Sequence, residues 1–374
     1  MNPEVGFQEF ETSKYIKEQL TALGLSYKEF AKTGVTAEIQ GGLGEGKTML
    51  IRADIDALPL QESNDLPFKS KNDGVMHACG HDTHVACLLG TAELLNNNKD
   101  KFKGKVLLVF QPAEEGPGGA KPMVEEGAVG DVNNPDIDAS LALHVDNSPV
   151  RTITVKDNEM SAAADEFYIT IKGKGGHGSA PHEAVDPIYL AGLIMVNLQG
   201  FISRTVDPME PMVFTVGKIV GGDRHNIIPA TAYMEATLRT MNRELRKTLH
   251  STIHNFIVTT AELHGGDAEV EIEVGYDVGI NSPEINKYIR SSFKELYPDY
   301  EFTPMEKAQL GAEDFYEFSL GGKIPTSMFM LGGGNKDKGI IAPNHSNYFT
   351  VDEECLSIGV SVLSQTAIKY LNDN

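Results

Sequence analysis

Apolar residues recur at a helical interval near the start of the chain, at Phe7, Phe10, Ile16, Leu20 and Leu23, which predicts an amphipathic helix over 7–23. The runs VTAEI (35–39) and TMLIRA (48–53) read as strands, and a helix is predicted from His81 to about Leu95. Two further strands, KVLLVF (105–110) and SLALHV (140–145), are separated by a Gly-rich stretch and a short helix near 119–127. Strands and helices in alternation predict an α/β domain with a largely parallel sheet.

From about Asp165 the texture changes. EFYITIKG (166–173) alternates polar and apolar like an exposed strand, and 184–202 has helical length and period. MVFTVGKI (212–219) and ATAYMEATLR (230–239) read as paired strands, 242–265 as a long helix and AEVEIEV (268–274) as a last strand. The order β-α-β-β-α-β is that of a ferredoxin-like unit. After Tyr276 the first texture resumes, with helices over 283–296 and 353–371, a short helix over 312–320 and the strand SMFML (327–331). The expected organisation is a domain built from 1–164 and 276–374 with 165–275 inserted into it.

Gly41 to Thr48, GGLGEGKT, satisfies the phosphate-loop pattern G-x4-G-K-[ST] letter by letter. That mechanism needs a helix after the loop, so that its N-terminus faces phosphate. MLIRADID is a strand pattern instead, and the loop reads as the tip of a β-hairpin with glycine supplying positive φ. A phosphate-loop nucleotide hydrolase is retained as the rival enzyme class.

Composition narrows the partners. The 374 residues hold 32 basic and 53 acidic side chains, a net charge of −21, and no basic run. Nucleic acid and anionic membranes are therefore not expected. No apolar stretch approaches the ~20 residues of a membrane span. The opening MNPEVGFQEFETS has neither a basic leader nor an apolar core, and Cys79, Cys87 and Cys355 are too few for a disulfide framework. A reducing cytoplasm fits.

The chemistry is concentrated in Met76-His77-Ala78-Cys79-Gly80-His81-Asp82-Thr83-His84, which packs a thiol, imidazoles and a carboxylate into one short segment. Glu114 and Glu115 follow KVLLVF and Gln-Pro-Ala, His144 lies in SLALHV, and His345 follows another apolar run. Soft and borderline donors gathered this way suit a divalent metal, and an adjacent glutamate pair can supply one ligand and one general base. Asp54, Asp56, Glu114, Glu115 and His144 follow or end strand-like runs, and in a parallel sheet the C-terminal strand ends share one edge. His77 and His84 read as structural; Asp82 either orients a ligand or favours a helix N-terminus, and Asp54 and Asp56 are candidates for orienting ligands.

The segments MHACGHDTH, QPAEEGPGGA, ALHV, GKGGHGSAPH, GGDRHNIIPATA, GAEDF and NHSNYF resemble, in order and over essentially the whole chain, the amidohydrolase branch of the aminoacylase/carboxypeptidase metallohydrolase family. That branch includes hippurate hydrolases, indole-acetyl-amino acid hydrolases and N-acyl-amino-acid deacylases. The resemblance implies two divalent cations, with Cys79 bridging them, His81 and His144 completing one site, and Glu115 and His345 the other. It makes Glu114 the general base for a metal-bound hydroxide, since two cations ~3.5–4 Å apart can hold a hydroxide and polarise a carbonyl. It makes the inserted domain a lid that pairs two copies of the chain, and places His177 at the developing oxyanion, with Asn226 and Arg239 on substrate. An arginine can grip a free α-carboxylate in bidentate fashion. The amides at the start of a helix opened by Gly311-Ala312-Glu313-Asp314 are a weaker candidate for the same carboxylate. Members of this branch open with a further helix bearing a histidine before the Pro-Glu that corresponds to Pro3-Glu4, and Met1 stands inside that motif.

The expected activity is cleavage of an N-acyl amino acid in the cytoplasm by a homodimer. Manganese, zinc and cobalt all suit the donors. A dipeptidase or carboxypeptidase on the same fold is the near alternative, and a metal-storing or peptide-binding module the non-enzymatic one.

Overall fold

The computed structural model describes the backbone of residues 1–374 and every side chain except that of Pro304. The chain divides into two compact units: Met1–Met160, Ile280–Ala308 and Asp314–Asn374 form the first, and Ser161–Gly279 with Gln309–Glu313 the second.

In the first unit the chain forms α1 (Phe10–Ala22), β1 (Tyr27–Phe30), β2 (Gly34–Gln40), β3 (Thr48–Asp54), α2 (His81–Asn97), β4 (Lys105–Gln111), α3 (Ala120–Glu125), β5 (Ala139–Pro149) and β6 (Thr152–Val155). The predicted helices and the strands β2 to β5 lie where the periodicity puts them. One eight-stranded sheet gathers these strands with two from the C-terminal part of the chain. β3, β4 and β5 run parallel at its centre, and β1 and β2 pair antiparallel at one edge. The continuous apolar runs have a physical reason in this layout. Met49, Ile51 and Ala53 of β3 and Val106, Leu108 and Phe110 of β4 enter one core, whereas Leu50, Leu107 and Val109 enter a second. A strand covered on both sides loses its alternation. Each of these side chains larger than alanine contributes about 1.5–3 kcal/mol on full burial, which makes the central strands a rigid platform.

The hairpin expected at Gly41–Thr48 is not present. β2 and β3 are separated by β4, which lies between them in the sheet. The glycine loop instead packs on the turn before β4, with Gly41 N donating to Gly104 O and Gly42 N to Lys99 O. β3, and not a helix, follows Thr48, so the loop has no helix N-terminus to offer a phosphate.

The second unit contains β7 (Ala163–Lys172), β8 (Gly176–His177), α4 (Pro187–Thr205), β9 (Met212–Gly221), β10 (Ile227–Ile228), β11 (Thr231–Thr240), α5 (Arg243–Leu263) and β12 (Asp267–Val274). Its antiparallel sheet has the order β9-β11-β7-β12, the ferredoxin-like arrangement, and β8 and β10 form a separate small ladder. Phe167, Ile169 and Ile171 of β7 pack with Leu190, Ile194 and Leu198 of α4 and Leu249, Ile253 and Ile257 of α5. The chain returns to the first unit in α6 (Pro283–Leu296), β13 (Glu301–Pro304), β14 (Thr326–Gly334) and α7 (Glu354–Asp373). β14 pairs parallel with β5, and β6 and β13 complete the far edge of the large sheet. The helix expected over 312–320 is a short 3-10 turn, Asp314–Ser319.

Within the second unit, Asp165 at the start of β7 is fully buried and takes Arg246 Nε at 2.9 Å, Arg246 Nη2 at 2.5 Å, and lies 2.6 Å from His250 Nε2. Burial alone would raise this carboxyl, but the bonds from Arg246 and His250 outweigh it and hold it below the usual carboxylate range. Arg246 also donates to Gly275 O at 3.0 Å, so the network joins the start of β7 to the end of β12. Asp165→Asn is expected to cost about 1–3 kcal/mol at neutral pH, because Arg246 loses its buried anion and keeps only the half-buried Asp277, 3.4 Å away. Stability from a depressed carboxyl is present above its unfolded pKa and lost as pH falls through its folded pKa. Urea unfolding of both proteins should therefore show a gap that narrows on acidification.

Candidate metal centre

The parallel register assembles the centre. Asp54 pairs with Gln111 across β3 and β4, and Ala142 of β5 stands beside Arg52, which puts His144 at the level of Asp54. α2 begins at His81, directly after Cys79 and Gly80. Gly80 has φ of 89°, and a Cβ there would lie 2.4 Å from Val145 Cγ1, so only glycine lets this turn approach β5. The backbone amide of His345 donates to Ala78 O at 2.7 Å, which brings the distant His345 loop to the same place.

Several donor triplets result, the atoms in each lying within 4.8 Å of one another; two share Cys79, one with His81 and His144 and one with Glu115 and His345, and Glu114 joins His81 and Glu115 in another. The Cys79 Sγ is 3.4 Å from His144 Nε2, and Glu115 Oε1 is 3.0 Å from His345 Nε2. Glu114 is buried, with Oε2 3.9 Å from His81 Nε2. Every metal and base candidate named from the sequence is thus brought together in the first unit.

The histidines are oriented by what their other nitrogen meets. His144 Nδ1 lies 2.8 Å from Val145 O, an acceptor, so Nδ1 carries the proton and the Nε2 lone pair faces Cys79. His81 Nδ1 lies 3.3 Å from Asp56 Oδ1 in the same way. Its Nε2 is buried and makes no hydrogen bond, although Asp54 Oδ2 lies 3.4 Å away, and Glu115 Oε1 is met only by His345. A buried imidazole nitrogen with its hydrogen-bonding capacity unused, beside a thiol and a carboxylate, fits divalent cations.

The charges agree. Burial would raise the Cys79 thiol, but His144 and His81 outweigh it and hold it well below the usual thiol range. Hydrogen bonds to Cys79 and Glu115 push His345 up to about 10. Anionic donors that draw protons onto imidazoles create a field that divalent cations would occupy with release of those protons.

Asp56 also accepts Glu115 N at 3.0 Å. His84 is structural: its Nδ1 lies 2.5 Å from Asp54 Oδ1 and its Nε2 accepts Val145 N at 2.9 Å. Asp82 is exposed and accepts Thr83 N, so it orients no ligand. Three further residues hold the centre, two of which the sequence offered only within the segments GAEDF and NHSNYF, without these roles. Glu9, fully buried, accepts Ala113 N at 2.9 Å, just ahead of Glu114. Asp314 accepts Gly119 N and Ala120 N at 3.0 Å, and Arg52 Nη2 at 3.0 Å. Asn344 Nδ2 donates to Cys79 O at 2.9 Å and Val145 O at 3.0 Å. Asp314 is therefore a buried acceptor beneath the Glu114 loop, and the turn it opens is too short for the helix-terminus carboxylate site expected there. Asp314 lies in GAEDF and Asn344 beside His345 in NHSNYF, whereas Glu9 carries no such signal.

In the second unit, His177 of β8 pairs with Ile227 of β10, next to Asn226, so these two candidates are neighbours. Arg239 is half-buried on β11 opposite Ala164 and Val213. It lies eight residues beyond Thr231, roughly 26 Å along the strand at about 3.3 Å per residue. One copy of the unit does not bring Arg239 to His177 and Asn226.

An α/β unit that converges Cys, His and Glu donors at the ends of parallel strands is the framework of a metal-dependent hydrolase. Residues 50–369 match the family model described as peptidase family M20/M25/M40. The thermostable carboxypeptidase 2 of Saccharolobus solfataricus is 40% identical over 99% of this chain and 93% of its own length. The N-acetyl-L-cysteine deacetylase of Bacillus subtilis is 37% identical over 100% of this chain and 86% of its own. The crystal structure of the Bacillus subtilis YXEP protein, described as a dinuclear metal-binding peptidase from the M20 family, superimposes with a TM-score of 0.83 at 34% identity, covering 99% of this chain and 94% of that one. The chain belongs to peptidase family M20/M25/M40 and is a metal-dependent hydrolase.

Proposed function

We propose that this enzyme hydrolyses the amide bond of N-acyl amino acids at a dinuclear centre. The observation that carries the reading is the pair of donor triplets sharing Cys79. Cys79 would serve both ions, His81 and His144 would complete one site, and Glu115 and His345 the other. Manganese or zinc, with cobalt as a substitute, suits these donors. When bound, the cations supply Lewis acidity toward the scissile carbonyl and toward water. Glu114, buried beside the ligands, takes the proton of the attacking water on its carboxylate and delivers it to the departing amine nitrogen. His177 donates to the carbonyl oxygen as it gains charge, Arg239 grips the free α-carboxylate, and Asn226 contacts the substrate beside His177.

An N-acyl amino acid is far shorter than the separation of Arg239 from the His177–Asn226 pair. This favours a homodimer in which one copy supplies His177 and Asn226 and its partner Arg239. The second unit also carries apolar surface suited to pairing: Tyr189 and Val196 on α4 are 58% and 67% exposed, and Ile219 and Val220 on the edge strand β9 are 49% and 55% exposed. No helix of the described residues is long and apolar enough to cross a membrane, and Cys79, Cys87 and Cys355 are unpaired, which suits a cytoplasmic enzyme.

The carboxypeptidase relative favours a second reading, removal of a C-terminal residue from a peptide. Acetyl, benzoyl and indole-acetyl amino acids, and dipeptides with free amino termini, assayed with added manganese, zinc and cobalt, separate the two. Release of amino acid from the acylated compounds is expected. Turnover of the dipeptides alone would establish the second reading and remove the first.

A further inference from the structure

Resting on the assignment of His177 as donor to the carbonyl oxygen, we propose that Ser179 fixes the His177 ring as the neutral tautomer whose proton is on Nε2. An imidazole stabilises an oxyanion only through a nitrogen that carries a proton, and the neutral ring carries one proton on either nitrogen. The local backbone decides which. Ala180 N donates to His177 O at 2.8 Å and Gly178 N to Asn226 O at 2.9 Å, closing a tight turn over 177–180. A Cβ on Gly178 would lie 3.0 Å from Asn226 O, so glycine at this position lets the turn seat against Asn226. The turn folds Ser179 back onto the ring. Its backbone N–H donates to Nδ1 at 3.1 Å, and its Oγ lies 2.8 Å from the same nitrogen. The amide and the hydroxyl of Ser179 share the single Nδ1 lone pair, the hydroxyl being the nearer donor, and together they favour the ring with its proton on Nε2. The longer amide contact by itself holds that preference only in part. Ser179 is a positioning residue: it touches no substrate and acts through His177.

Long-range proton–nitrogen correlation spectra of zinc-loaded enzyme labelled with 15N-histidine test this directly. The His177 signals are assigned as those lost in His177→Ala, whose kcat is expected to fall about 10²–10³-fold as one oxyanion donor is removed. Wild type should show an unprotonated Nδ1 and a protonated Nε2. Ser179→Ala keeps the amide donor and loses the hydroxyl. Its spectrum should move toward a mixture of tautomers, with kcat lower by about three- to tenfold at unchanged KM and unchanged zinc content. Ser179→Thr should restore both. A protonated Nδ1 in wild type, or a Ser179→Ala enzyme with wild-type spectrum and kcat, would overturn the role of Ser179 while the oxyanion assignment stands. An unchanged kcat in His177→Ala would overturn the oxyanion assignment and this inference with it.

Discussion

Glu114→Gln is expected to lower kcat by about 10²–10⁴-fold, the usual contribution of a positioned general base, with metal content at the wild-type level. The substitution keeps the shape of the side chain and removes its capacity to take a proton. The donors in the two triplets that share Cys79 remain untouched, because neither includes Glu114. Glu115→Gln is the matched control. It stands one residue along the same loop, lies 3.0 Å from His345, and should lose metal from one site. Stopped turnover with full metal in the first variant, and reduced metal in the second, separates a base from a ligand. Wild-type rates in both would dismantle the assignment.

Cys79→Ala should have the widest effect on the metal itself. Cys79 is the one residue common to both triplets, and the thiol is held well below its usual range by His144 and His81. Its loss removes an anionic donor from each site at once. Metal analysis is expected to fall from about two ions per chain to less than one, with turnover lost in parallel. Ions that bind only the folded chain stabilise it by mass action, so added metal should raise the Tm of wild type far more than that of the variant. Cys79→Asp restores an anion with two oxygens and should recover part of the metal. Wild-type metal content in Cys79→Ala would exclude the bridging role.

The chain's periodicity reports burial, and burial is what the sheet's central strands share. TMLIRA, KVLLVF and SLALHV are apolar throughout because both faces are covered, so their type and place were legible in the sequence. Edge strands carry a weaker signal. β1, β6 and β13 are short, and only their pairing partners make them strands. The alternating strands and long helices of the second unit were legible for the opposite reason, since each buries one face only. The metal and base candidates were legible too, because their residue types are rare together and their segments carry a family resemblance.

Pairing and placement were decided by tertiary structure. β2 and β3 are neighbours along the chain, but β4 lies between them, its side chains buried in both cores. Ala113 and His345 adopt φ of 53° and 64°, a conformation neither residue favours alone; the bonds from Ala113 to Glu9 and from His345 to Ala78 hold them there. Glu9 looked like an ordinary acidic residue and Asp314 like part of a helix opening, since a carboxylate's partners are named by the fold and not by its neighbours in sequence. What the sequence determined by itself was the alternation of elements and the donor types, which depend on local pattern and composition. What only the tertiary structure decided was that two donor sets share Cys79, and that Arg239 stands a strand's length from His177. Those are distances between segments far apart in the chain, and they exist only once the cores close.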